Sequence, residues 1–231
     1  MTEAPAEDGL PADREGGGRS ARKRRAILDA ATDVFLRDGY AGTSMDTIAT
    51  VSGVSKQTVY KRFSSKEALF VEIVTRLTRD AGDVVHAAMP ELGDDDDLAA
   101  YLVALATGQL DVVLTPRLMQ LRRLVIGEVT RFPELAAVLY EGGPKRAMAT
   151  LEAVFERLAA RGRLSIDEPA VAASQFNWLV MAEPLNRAML LGDAAIPSPA
   201  ELRRIAEEAV RVFLAAYGTK HGVESATEGR R

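Results

Sequence analysis

Cysteine is absent from the 231-residue sequence, which excludes disulfide bonds and metal sites built from thiolates. Long hydrophobic runs are missing as well, because no stretch reaches the roughly 18 apolar residues that a membrane-spanning helix needs. The N-terminus also lacks the apolar segment of a signal peptide. We therefore expect a cytoplasmic protein that has no membrane partner.

Groups that could carry catalysis or hold a metal are scarce. The two histidines, His86 and His221, have no partner histidine at helical spacing, so neither predicts a metal or catalytic site. The acidic run Asp94–Asp97 could bind a hard cation, but consecutive side chains cannot all turn toward one ion. Acidic residues before a helix favourably meet its positive end instead. With no nucleophile, base and orienting group at a recognisable spacing, we expect no metal, no cofactor and no enzymatic activity.

The net charge of −4 is divided unevenly along the chain. Residues 19–70 contain ten Lys and Arg against five acidic residues, whereas residues 71–231 contain 18 against 23. A basic segment joined to an acidic remainder is typical of a protein in which one end meets nucleic-acid phosphate, although chance clustering would give the same count.

Apolar residues recur at helical period through almost the whole chain, without convincing strand alternation. The terminal segments 1–18 and 218–231 cannot bury enough apolar surface to offset their ordering, and we expect disordered tails there. The predicted fold class is all-α, with about nine helices. Their expected ranges are 20–38, 45–51, 55–62, a longer helix that opens at Ser64–Glu67, 97–113, 116–131, 133–162, 169–191 and 199–217.

Glycine, proline and capping residues mark the ends and breaks of these helices. Gly39 is expected just past the first helix, in a left-handed conformation. The Gly142–Pro144 segment predicts an interruption, and Pro184 predicts a kink because proline cannot donate a backbone hydrogen bond. The last helix has the clearest start, since Ser198 and Glu201 have the spacing of a capping box.

Two short predicted helices, 45–51 and 55–62, are joined by a tight turn that contains Gly53. Such short helices cannot form a core alone, and a short helix supported by its neighbours can enter the major groove of DNA. In the second helix, Val59 and Phe63 point inward at a spacing of four residues. The opposite face carries side chains suited to base edges and phosphate oxygens; they are Lys56, Gln57, Thr58, Tyr60 and Lys61.

This region resembles the N-terminal helix-turn-helix domain of the TetR family of bacterial transcriptional regulators. About 50 residues match the family's spacing without a gap. The matching residues are Arg25-Ala26-Ile27-Leu28, Ala30-Ala31, Phe35, Gly39-Tyr40, Thr43-Ser44-Met45, Ile48-Ala49, Gly53-Val54-Ser55, Thr58-Val59-Tyr60, Phe63 and Lys66-Glu67-Ala68-Leu69.

The resemblance implies particular DNA contacts. The family's groove-facing positions match Lys56, Gln57, Thr58 and Lys61, and its phosphate-holding positions match Thr43, Ser44, Tyr60 and Lys66. Gln57 replaces the small residue that is commoner there, so the family's operator preferences cannot be carried over, and Arg62 replaces a frequent histidine.

Plainer alternatives exist for three of these assignments. Tyr60 could be a packing aromatic residue, and Lys66 could simply solvate its helix. The basic residues 19–25, among them Arg22 and Arg25, form an arm that could follow the DNA backbone or minor groove, or could act as a solubilising tail.

The C-terminal part is similar to the AefR-like subset of the family through Leu121–Glu128, Arg131–Leu135 and Tyr140–Pro144. This similarity implies that helices 169–191 and 199–217 pair with their symmetry mates in a homodimer. An effector pocket is expected between the helices of 97–162 and the helix that carries Trp178. The candidate lining residues, each of which could instead be ordinary core, are Leu102, Met119, Arg122, Val125, Phe155, Phe176 and Met181.

The expected organisation is a tail (1–18), a helix-turn-helix DNA-binding domain (19–66), a ligand-binding and dimerisation domain (67–217) and a second tail (218–231). The leading hypothesis is a ligand-responsive transcriptional repressor that binds a palindromic DNA operator as a dimer and is released by an unknown small-molecule effector. One alternative is a DNA-binding dimer that is constitutive or regulated by a protein partner. Another is an enzyme, for which the sequence offers no convergent polar groups.

Overall fold

The computed structural model describes residues 14–87, 93 and 96–219, and the regular structure within these ranges is helical. The all-α prediction is therefore confirmed. A π-helical turn (Glu141–Lys145) joins two of the helices, and a 3₁₀ turn (Asp193–Ala195) follows another. The ten α-helices of the described part are α1 (Arg14–Gly42), α2 (Met45–Ser52), α3 (Lys56–Arg62), α4 (Lys66–Ala87), α5 (Leu98–Val113), α6 (Pro116–Gly127), α7 (Pro133–Tyr140), α8 (Arg146–Ala160), α9 (Pro169–Leu191) and α10 (Pro199–Tyr217).

The predicted tails need correction at both of their inner ends. Residues 14–18 are the first residues of α1, because a nucleated helix gains one hydrogen bond for each added residue and can continue into glycines. Gly218 pairs with Leu164 in an isolated bridge, and the Thr219 hydroxyl donates to the Arg163 carbonyl. Residues 1–13 and 220–231, the rest of the predicted tails, lie outside the described residues.

Capping residues and prolines set the helix starts where the sequence placed them. Asp97 accepts hydrogen bonds from the backbone of Ala99 and Ala100 at the start of α5, so the end of the acidic run has the capping role that was expected of it. Ser198 and Glu201 form the predicted capping box of α10. The expected helix 116–131 is shorter, since α6 ends at Gly127.

The chain divides into two compact units, the first ending at Ile73 and the second beginning at Val74. In the first unit, the predicted apolar face of α1 is buried. Its aromatic centre is formed by Phe70, whose ring centroid lies 5.0 Å from that of Phe35 and 5.1 Å from that of Tyr40. Gly39 interrupts α1 near its end with a φ of 72°, as the sequence predicts.

The second unit is built around α5, α8, α9 and α10. Three phenylalanines meet at its centre: Phe213 lies with its ring centroid 5.0 Å from those of both Phe155 and Phe176. The predicted interruption before α8 is the π-helical turn. At Gly142 of this turn, an added Cβ would lie 2.8 Å from Cγ2 of Thr78, so the close approach of α4 to the turn requires glycine.

Among the described residues, no single helix combines the length and apolar composition needed to cross a membrane. The pair α5 and α6, bent by 63°, meets the same test only when the two helices are taken together.

Candidate nucleic-acid interface and effector cavity

Two serine side-chain caps and one glycine turn fix the start of the short helix α3. The Ser44 hydroxyl accepts a hydrogen bond from the Thr47 backbone at 3.0 Å and begins α2. Gly53 ends α2 with a φ of 64° and donates its N–H to the carbonyls of that helix, a left-handed conformation that favours glycine. The Ser55 side chain then caps α3. The turn between the helices is therefore set by local hydrogen bonds.

One face of α3 is buried and the other is open. Val59 is fully buried, and Phe63, just after the helix, is almost so. Lys56, Gln57 and Lys61 are exposed. Tyr60 is 46% exposed, and Thr58 is half-buried. The helix therefore presents a polar, basic surface outward, while its apolar side chains anchor it to the unit.

The basic residues 19–25 lie on the continuous helix α1. Arg22 and Arg25 are exposed on it. Arg22 also lines a shallow depression together with Gly53, Ser55 and Thr58. The N-terminal part of α1 and the turn that leads into α3 thus form one concave surface that bears positive charge.

Several cations of this unit are hydrogen-bonded or paired within the protein. The Lys56 ammonium lies 2.7 Å from a carboxylate oxygen of Asp46, and that hydrogen bond raises the pKa of Lys56. Arg24 pairs with Glu72. Arg62, at the position where the family often has histidine, donates to the Ser20 hydroxyl at 2.7 Å.

Thr43 and Lys66, both expected to hold phosphates, are engaged within the protein. Thr43 is 3% exposed, and its hydroxyl donates to the Gly39 carbonyl at 2.7 Å. The Lys66 ammonium donates to the carbonyls of Tyr40 and Thr43 at 2.9 and 3.0 Å. The Thr43 hydroxyl is therefore buried and already hydrogen-bonded. The Lys66 ammonium has three N–H donors, so one of them remains for a phosphate.

The described residues contain no group of three or more His, Asp or Glu side chains that could hold a metal ion.

The second unit contains a cavity of about 480 Å³, a size typical of pockets for small organic molecules. Its wall is supplied by α5, α6, α8, α9, the C-terminal part of α7, the π-helical turn and residues 78–82 of α4. Apolar side chains cover most of it, and they include Leu118, Met148, Trp178 and Leu185.

Two of the seven predicted pocket residues, Arg122 and Met181, line this cavity. The other five are buried without reaching it, because an apolar stripe predicts burial but not which neighbour a side chain will meet; they are Leu102, Met119, Val125, Phe155 and Phe176. Sequence reasoning missed Gln109 and Asn177, which join across the wall by a 2.8 Å hydrogen bond. An amide side chain within an otherwise apolar helical stripe was the sequence signal for them, because a buried amide needs a hydrogen-bond partner.

The α9 and α10 helices also expose apolar side chains. Leu190 and Leu191 at the end of α9 are 80% and 72% exposed. The members of this set are Val171, Trp178, Leu179, Leu190, Leu191 and, on α10, Val212.

Both parts of the chain match families of known proteins. Residues 27–73 match the family described as bacterial regulatory proteins, tetR family. Residues 100–219 match the family described as AefR-like transcriptional repressor, C-terminal domain.

Solved structures of similar proteins have the same fold as this chain. A TetR-family transcriptional regulator from Mesorhizobium loti MAFF303099 is 40% identical, with a TM-score of 0.80 over 87% of this chain and 99% of its own. The flavonoid-responsive regulator FrrA is 31% identical, with a TM-score of 0.68 over the same shares of the two chains.

Among curated proteins, the HTH-type transcriptional regulator YhgD of Bacillus subtilis (strain 168) is 31% identical over 126 residues. That match covers 52% of this chain and 66% of YhgD. The HTH-type transcriptional regulator RutR of Escherichia coli (strain K12) is 42% identical over 55 residues, about a quarter of either chain.

Proposed function

Because this chain belongs to the TetR family of DNA-binding transcriptional regulators, we propose that it is a dimeric repressor controlled by a small molecule. The dimer binds a near-palindromic operator through two copies of α3. An effector that occupies the cavity of the second unit releases the DNA. We expect it to act in the cytoplasm, where its DNA partner lies.

The outward polar face of α3 is the observation that carries the DNA-binding proposal. Lysine ammonium groups suit phosphate or guanine, and the Gln57 amide suits adenine. We expect the exposed hydroxyls of Tyr60 and Ser44 to donate to phosphate oxygens. Arg22 and Arg25, which are exposed on α1, would add positive charge. In this proposal Thr43 has a structural role, and Lys66 contributes at most its remaining donor.

The exposed apolar side chains of α9 and α10 support a homodimer formed through these helices. A two-fold axis would place two copies of α3 on one face of the duplex, about 34–36 Å apart. This spacing equals one helical turn, so the operator would repeat its half-site with inverted symmetry.

The helix α4 supports the coupling of effector and DNA. It begins at Lys66 in the first unit, and its residues Thr78, Ala81 and Gly82 belong to the cavity wall in the second. A ligand that fits one conformation of this wall better than another shifts the equilibrium by its difference in affinity. The similar protein FrrA is named as flavonoid-responsive, which supports control by a small molecule here.

The cavity also favours this proposal over a dimer that is constitutive or regulated by a protein partner. Such a dimer needs no largely apolar cavity of about 480 Å³, since an interior is normally packed without large voids. The enzyme hypothesis has no supporting constellation among the described residues, in which the polar groups of the cavity wall include no nucleophile paired with a base.

The test is a mobility-shift titration on a duplex that the protein itself has selected from random DNA. The double variant Tyr60→Ala, Lys61→Ala should weaken binding by at least about tenfold at fixed salt, because it removes a phosphate contact and a charge from each α3. The circular dichroism spectrum and the dimer should stay unchanged.

Lys145→Ala is the matched control, since Lys145 is an exposed lysine of the second unit paired with Glu141. It should bind DNA as the unmodified protein does. Equal affinity of the double variant and the control would overturn the proposed reading face.

A further inference from the structure

The cavity wall contains buried polar atoms that have no hydrogen-bond partner within the described part of the chain. Gln109 donates its amide N–H to Asn177, but its Oε1 accepts nothing. The Thr78 hydroxyl oxygen is also buried without a hydrogen-bond partner. Both residues are at least nine-tenths buried, being 5% and 3% exposed, and both line the cavity. Buried polar groups are normally satisfied, so these two atoms indicate where a ligand supplies the missing bonds.

The charge of the wall is also unbalanced. Among the described residues of the wall, the cations are Arg122 and Arg146, and none is Asp or Glu. Arg146 is neutralised by Asp83, whose carboxylate oxygen lies 2.8 Å away. Arg122 makes no ion pair or hydrogen bond with any described residue, in contrast to its neighbour Arg123, which pairs with Asp193.

Burial makes the unpaired state of Arg122 costly. Arg122 is partly buried, and this desolvation lowers the pKa of its guanidinium. A partly desolvated cation is stabilised by an anion held in its own plane. A carboxylate matches the two parallel N–H donors of a guanidinium. The rest of the wall accepts apolar groups, with the indole of Trp178 and the thioether of Met148 among them.

We propose that the effector is an organic acid with an apolar body, whose carboxylate pairs with Arg122 and whose hydroxyl group donates to Oε1 of Gln109. This inference rests on the proposed function for the role of the cavity, and it adds the chemical class of the molecule that fills it. A hydroxyl suits the Gln109 position because it can donate a hydrogen bond to Oε1, which accepts none from the described residues.

The test uses two sets of matched probes, one built on a single ring and one on two rings. The sets are 4-hydroxycinnamic acid, its methyl ester and cinnamic acid, and 4′-hydroxybiphenyl-4-carboxylic acid with the corresponding ester and deoxy acid. Binding to the full chain is measured by calorimetry and by the fluorescence of Trp178, the only tryptophan of the sequence. In at least one set, the hydroxy acid should bind about tenfold or more tightly than its ester and its deoxy acid.

Two variants assign these preferences to residues. Arg122→Met should abolish the preference for acid over ester and leave ester binding unchanged, since the removed group has no protein partner to leave unpaired. Gln109→Leu should abolish the preference for the hydroxyl group. Lys145→Met, which changes an exposed cation outside the cavity wall, should keep both preferences.

Several results overturn the inference: an ester that binds as well as its acid, an acid preference that survives in Arg122→Met, or no binding by any of the six probes. A separate mobility shift without probe reports on the proposed function. If the chain fails to bind duplex DNA while the probe preferences hold, the proposed function fails and the ligand class stands.

Discussion

The Lys66 ammonium holds the carbonyl oxygens of Tyr40 and Thr43 and lies 4.4 Å from the centre of the Tyr40 ring. The first residue of α4 thus satisfies two backbone acceptors in the segment between α1 and α2. A lysine in the first helical turn opposes the helix dipole, so these bonds give a structural reason for its presence.

Lys66→Met is expected to lower the free energy of unfolding by about 1–3 kcal/mol, because two carbonyls lose a charged donor. Urea unfolding followed by circular dichroism measures the change. Lys61→Met is the control, since Lys61 is exposed on α3 and should affect DNA binding alone. If Lys66→Met keeps its stability but loses DNA binding, the role of Lys66 is to contact a DNA phosphate and not to stabilise the fold.

Asp46→Asn is expected to strengthen DNA binding by releasing Lys56. The carboxylate now pairs with Lys56 and adds a negative charge beside the reading face. Its removal should raise affinity about threefold to tenfold at low salt and make the slope of log affinity against log salt steeper by about 0.9. Asp38→Asn, which opens the separate Arg37–Asp38 pair, should change neither quantity. A weaker complex for Asp46→Asn would show that the ion pair positions Lys56 for binding.

The pH dependence of stability should include a contribution from Glu67. Its carboxylate accepts a hydrogen bond from the Tyr40 hydroxyl at 2.8 Å, and this bond is the main reason that the pKa of Glu67 lies below its ordinary value of 4.5. A lowered carboxyl pKa stabilises the folded state above the unfolded pKa, and the contribution disappears as pH falls through the folded value.

The free energy of unfolding of the unmodified protein should therefore exceed that of Glu67→Gln most at about pH 6, and the difference should shrink between about pH 5 and pH 3. Denaturant titrations of both proteins across this range measure it. A difference that stays constant with pH would show that the Glu67 carboxylate does not contribute to the pH dependence of stability.

Leu179→Glu is expected to disrupt the proposed dimer. Leu179 belongs to the exposed apolar set on α9, and a charge buried in an interface is strongly unfavourable. Sedimentation equilibrium should report a monomer, and operator affinity should fall because the two half-sites are no longer bound together. Ala137→Glu introduces the same charge on the exposed side of α7 and should leave a dimer. A dimeric Leu179→Glu would place the interface elsewhere.

Local signals were sufficient to predict much of the helical fold. Pro169 and Pro199 begin α9 and α10 at the predicted residues, because proline at the first helical position lacks only a redundant donor. The inward placement of Val59 followed from helical spacing alone.

Other features depend on partners that are distant in the sequence. The hydroxyl of Thr43 and the ammonium of Lys66 bond to backbone atoms whose positions are set by tertiary packing. Phe155 and Phe176 are as buried as the sequence implies, yet they meet Phe213 instead of the cavity. The helical spacing of apolar residues predicts which face of a helix is buried. The position of a cavity depends on how the buried faces of different helices pack together.

The central question is whether the outward face of α3 reads base pairs. To answer it, the unmodified protein and the variant Gln57→Ala are each used to select bound sequences from random duplex DNA. Both proteins should select two inverted half-sites at the same spacing. The variant should lose discrimination worth about 1–3 kcal/mol at one base-pair position in each half-site. Identical base preferences for the two proteins, or no enrichment of any sequence by the unmodified protein, would contradict this prediction.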